Sequence, residues 1–188
     1  MYIEVSKEDI ERITGKLKQA EKAPQRLKNA INRTATQALK IIKAGRSAGY
    51  TLKAGRFNQD VRLFRASVGR LDALIKASGR PPTIQRFSTK PNAGRIGGRA
   101  DIVKSGLKEI GTTGGGGKAF IGPGGKIAGL MVRRKSKKRT DIEALHGPSV
   151  PAMVKKIYEG ERGGQGDMEG KIRERLHNEI MAEMEKLL

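Results

Sequence analysis

The chain contains no cysteine and no tryptophan, and only 2 histidines, 3 tyrosines and 4 phenylalanines in 188 residues. Without cysteine it has no disulfide, no thiolate nucleophile and no cysteine-based zinc site. His146 and His177 have no partner histidine at ligand spacing, so neither predicts a metal centre. The shortage of aromatics leaves an aliphatic and modest core. Leu, Ile, Val and Phe together number 41 of 188, near the ~20% level below which chains stop folding alone. No apolar run approaches the ~20 residues of a membrane span. The opening residues Met1–Asp9 lack a signal-peptide profile, so the expectation is a protein made in a cytosol and not exported by itself. No internal repeat is visible.

Acidic residues are scarce in one region only. Between Pro24 and Arg139 there are 27 Lys or Arg against four acids, Asp60, Asp72, Asp101 and Glu109. Residues 1–23 balance five bases with five acids, and residues 140–188 carry seven bases and ten acids, within a net charge of +20. Like charges inside a Debye length of ~8–10 Å repel. The middle span therefore predicts a negative partner, either DNA phosphate or an acidic protein face, against the alternative of a merely solvated basic surface. The densest run is Arg133, Arg134, Lys135, Lys137, Lys138 and Arg139, the best candidate for contact with DNA or an acidic partner. Tyr50, Phe57, Phe64, Phe87 and Phe120 are not interleaved with that run. Any nucleic-acid contact is thus expected at the backbone, without base stacking or sequence reading.

Ser6 and Asp9 resemble a capping box ahead of a helical stripe, Ile10, Ile13, Leu17 and Ala20. Pro24 starts or kinks a second helix. Its stripe Leu27, Ile31, Thr34, Ala38, Ile41 and Ile42 runs to about Gly45, opposite Arg26, Lys28, Arg33, Lys40 and Lys43. A short helical turn is expected over Thr51–Asn58. A hairpin follows, with Val61–Ser67 and Leu71–Ile75 as strands and Gly69-Arg70 as the turn. Thr83–Phe87 reads as extended, and Ala100–Val103 and Leu107–Ile110 as strand material. Lys118–Ile121 and Lys126–Arg134 read as another hairpin, with Phe120, Ile127, Leu130 and Val132 as its apolar content. Residues from Ile142 to Pro151 cross to a short helix, Met153–Tyr158. Asp167–Leu188 forms a last helix with Ile172, Leu176, Ile180, Met184 and Leu187 on one face. The fold class is α+β: a single domain over 1–188, helical in 1–49, basic and β-rich in 50–140, and helical again in 141–188.

Glycine makes up 25 residues, 13 of them between Gly94 and Gly129. The run Gly111–Gly117 before Lys118 lacks the spacing of a phosphate-binding loop. Thr112 stands where the first glycine belongs, and Ala119 replaces the hydroxyl residue that would hold magnesium. A loop that orders on assembly is the better reading. No nucleophile–base or paired-carboxylate arrangement is legible, so neither enzyme activity nor a cofactor is expected. A nuclease would have to draw on one of the few middle acids, such as Asp101.

Three stretches in order resemble the phage minor tail protein Z family, the tail-completion proteins of long-tailed phages. They are Ala30–Ala35 followed by Tyr50–Lys53, then Leu74–Arg80 leading through prolines to Phe87. The third comprises Lys118–Ile121, Val132-Arg133, Ile142-Glu143, and Gly147, Pro148, Ser149, Val150 and Pro151. They cover roughly residues 27–155, and Gly-Pro-Ser-Val-Pro is the most specific piece. Asp141 stands where the family usually has proline, and the glycine loop is longer. The resemblance implies a structural virion protein at the head–tail junction, assembled in the host cytoplasm as a homo-oligomeric ring of six. Its partners would be a tail terminator or tube protein and the head–tail connector proteins, with double-stranded DNA at the genome end as a further candidate and no membrane. The rival reading is a non-sequence-specific nucleic-acid-binding protein of ribosomal or nucleoid type. It explains the charge but not the Gly-Pro-Ser-Val-Pro segment.

Overall fold

Proline lacks the N–H that a helix interior needs but is preorganised for its first turn, and Pro24 occupies that turn of the long helix α1, Ala23–Gly49. The computed structural model describes residues 2–4, 22–90, 98–111, 117–122, 124–136, 138, 141–164 and 166–187. The helix expected from Ser6 to Ala20 lies outside them, as do Lys137, Arg139 and residues 112–116 of the glycine loop. Leu27, Ala30, Ile31, Thr34, Ala35, Ala38 and Ile42 are buried along one side of α1. Fully burying each large aliphatic side chain contributes about 1.5–3 kcal/mol. The helix outruns its expected end by four residues because Gly45 and Gly49 let the segment before the last helix press against it. A Cβ on Gly49 would lie 1.7 Å from the carbonyl oxygen of Arg162.

Helix α2, Ala54–Asp60, follows and buries Phe57. Strands β2, Val61–Phe64, and β3, Asp72–Ala77, form the expected antiparallel hairpin, with Leu63 opposite Ile75. Its turn is Val68-Gly69, one residue earlier than expected, because the backbones of Ser67 and Arg70 bond to each other in both directions. Strand β1, Tyr2–Glu4, pairs with the other edge of β3 to give the sheet order β1-β3-β2.

Thr83–Phe87 is not extended: Ile84–Arg86 is a 3₁₀ turn. The Phe87 amide closes the turn on the Ile84 carbonyl at 2.9 Å, with Ile84 buried in one apolar cluster and Phe87 in another. A second antiparallel sheet joins β4, Ser88–Lys90, β5, Arg99–Asp101, and β6, Lys108–Glu109. The third joins β7, Phe120–Ile121, β8, Met131–Arg134, and β9, Ile142–Ala144. The β7–β8 hairpin pairs Phe120 with Val132. It is shorter than expected, because Gly125–Ile127 winds into a 3₁₀ turn and Gly122 bonds to Leu130 and Gly129 across the loop. Ile142–Ala144, expected as a mere crossing, is a strand because β8 offers it a free edge and Arg133 faces Glu143 across the pair.

Helix α3, Val150–Tyr158, starts three residues before its expected place, and α4, Met168–Met184, closes the fold on α1. Both are capped by side chains: Ser149 accepts from the Ala152 amide and Asp167 from the Gly170 amide. The main core takes residues from the first, middle and last parts of the chain, from Leu27 through Phe57 and Ile75 to Met153 and Met184. A smaller cluster, Ile84, Ala100, Ala119 and Met131, lies among the second and third sheets. The architecture is α+β.

Candidate interaction surface

Alternation along a strand sends successive side chains to opposite faces, and strand β8 divides the basic run in this way. The Arg133 Nε lies 2.5 Å from a Glu143 oxygen, and Lys135 Nζ lies 3.5 Å from the other. Arg134 stacks its guanidinium over the Phe120 ring, 5.7 Å from the centroid. Lys138 is exposed. The Arg133 hydrogen bond chiefly, with the charge of Lys135 behind it, holds the Glu143 carboxyl below the usual range despite some desolvation. Sequence reasoning treated the run as one electrostatic patch. In the fold, Arg133 and Lys135 already share an acid, while Lys138 faces solvent without an acidic partner among the described residues.

The Gly147–Pro151 segment sits where distant parts of the chain meet. Thr83 bridges to His146, and the Gly147 amide donates to the Pro82 carbonyl at 2.9 Å. Phe87 lies so close that a Cβ on Gly147 would fall 2.3 Å from its ring. Ser149 caps α3, and Val150 and Pro151 form its first turn, so half of Gly-Pro-Ser-Val-Pro is the helix start itself. Tyr50–Lys53 joins the same neighbourhood. The Thr51 hydroxyl donates to the Asp101 carbonyl and accepts from the Ser88 amide, and the Lys53 amide donates to the Arg86 carbonyl at 3.2 Å. Residues from 50 to 53, from 82 to 88 and from 146 to 151 thus form one hub.

A further feature was not foreseen. Glu183 on α4 is 1% exposed and gathers three cations. Arg26 lies 3.3 Å and Lys186 2.7 Å away, and Arg33 completes the set. Arg33 also reaches Glu179 at 2.9 Å. Lys186 first, then Arg33 and Arg26, hold the Glu183 carboxyl down to about 2, against the burial that would raise it. The same contact raises the Arg33 pKa, its hydrogen bond to Glu183 outweighing burial. The signal was present in the spacing: Glu183 shares the helical face of Leu176 and Ile180.

Among the described residues no group of three or more His, Cys, Asp or Glu is placed to hold a metal ion, and no helix is long and apolar enough to cross a membrane. Comparison with known proteins found no matching family model, no matching curated protein and no matching solved structure.

Proposed function

We propose that this chain is a structural protein of a phage virion, completing the tail and joining it to the head connector as one subunit of a ring at the neck. It acts by shape and charge complementarity, without turnover. The observation that carries the reading is the hub. Tyr50–Lys53, the approach to Phe87 and Gly147–Pro151 resemble the tail-completion family, lie far apart in sequence, and meet in one place. Supporting it, Gly147, Pro148 and Pro151 steer the chain from β9 into α3. The basic middle gives the subunit a face suited to an acidic partner or to the genome end. Of the run from Arg133 to Arg139, Lys138 is the described cation free to make that contact.

The test is the mass of the purified protein at low and high salt, with and without double-stranded DNA, together with electron microscopy of any assembly. A closed ring with an axial opening supports the neck reading. A persistent monomer that coats DNA with a steep salt slope refutes it and supports the nucleic-acid-binding rival, which the +20 net charge favours.

A further inference from the structure

The exposed large apolar side chains among the described residues are Phe64, Val68 and Met181. They fall on two surfaces. Phe64 ends β2 and Val68 forms the turn after it. Beside them Arg62 and Lys76 stand directly opposite each other across β2 and β3, both exposed. Like charges in that position destabilise an antiparallel pair, and neither forms an ion pair within the described residues. A negative partner carrying its own apolar contact would relieve the repulsion and cover Phe64.

The second surface has that composition. Met181 lies on the outer side of α4, 46% exposed. Glu174, seven residues before it, and Glu185, four after it, share its helical face and are exposed. The two surfaces stand on different elements, each tied to α1 through its own residues. The Asn32 side chain of α1 bonds to the Ala66 backbone just beyond β2, at 3.1 and 2.8 Å, while Arg26 and Arg33 reach α4 from another side of the same helix. Among the described residues no ion pair joins Arg62 or Lys76 to Glu174 or Glu185 within one copy, whereas successive copies can bring these charges together. Such a head-to-tail contact generates a ring wherever the rotation closes.

We propose that the Phe64–Val68 surface of one copy of this chain docks on the Met181 surface of α4 in the next, with Arg62 and Lys76 against Glu174 and Glu185. The inference rests on the ring reading above and adds which surfaces meet. Sedimentation of the full chain tests it with two double variants, Arg62→Glu with Lys76→Glu, and Glu174→Lys with Glu185→Lys. Wild type should self-associate more weakly at high salt. Each variant alone should lose about tenfold or more in association, because both its surfaces then carry one sign. Mixed together, the variants should assemble again, since each supplies the charge the other now lacks. The absence of native cysteine allows a second measurement that needs no charge reversal. Mixed Phe64→Cys and Met181→Cys chains should form a disulfide-linked dimer on oxidation, and neither alone should. A wild-type assembly that both double variants retain, with no such cross-link, overturns this interface and leaves the ring standing. A wild-type chain that stays monomeric overturns both.

Discussion

Replacing Glu183 with glutamine keeps the shape of the side chain and removes the charge that three cations share. The carboxyl titrates at about 2 in the fold against an ordinary 4.5, which at about 1.4 kcal/mol per pH unit bounds its contribution at roughly 3 kcal/mol. Arg26, Arg33 and Lys186 are 34%, 46% and 52% exposed. Solvent therefore screens them and lowers the expected loss to about 1–2 kcal/mol. Because the folded pKa lies below the unfolded one, this stability is complete above about pH 4.5 and disappears as pH falls towards about 2. Urea unfolding of wild type and Glu183→Gln at a series of pH values measures the difference directly, and other titrating carboxylates largely cancel in it. The variant should be weaker by the stated amount at neutral pH and indistinguishable from wild type near pH 2. A variant as stable as wild type at neutral pH, or a deficit that persists undiminished in acid, would refute the claim that Glu183 fastens α4 to α1 by charge.

Gly147→Ala should cost about 1–3 kcal/mol, because the new methyl meets the buried Phe87 ring at 2.3 Å and that ring has little room to yield. Combined with Phe87→Leu, it should cost less than the sum of the single changes in a thermal or urea double-mutant cycle. Ser149→Ala removes the cap on the Ala152 amide and should lower stability by about 1 kcal/mol without altering the helix content by circular dichroism. Glu143→Gln releases Arg133 and Lys135. If the basic run meets DNA, affinity for a duplex should rise and the salt slope steepen by up to about two phosphate contacts. An unchanged slope would place the contact elsewhere.

Long periodic segments were legible in the sequence because many residues repeat the same demand. Twenty-seven residues of α1 bury one stripe, and no other element of that length satisfies it. Short segments take their conformation from neighbours that the sequence does not reveal. Ile142–Ala144 is a strand because β8 runs beside it. Ile84–Arg86 turns where Leu145 and Lys53, both distant in sequence, bond to its backbone. Val68 occupies a turn that the glycine after it marked one residue too late.

Charge was legible as a total but not as a distribution. Arg26, Arg33, Arg133 and Lys135 of the basic middle are answered by Glu183, Glu179 and Glu143 from the last part of the chain. The acid excess of residues 140–188 is therefore largely spent inside the subunit, binding its ends to its middle. Arg56 and Arg70 are matched by Asp60 and Asp72 nearby. Of what these pairs leave over, Arg62, Lys76 and Lys138 are exposed and form no ion pair within the described residues. A fold that neutralises the cations it can reach and still presents these has placed its demand for negative charge on the outside. The acids of α4 that remain exposed, Glu174 and Glu185, would meet that demand from another copy of the chain in the head-to-tail contact proposed above.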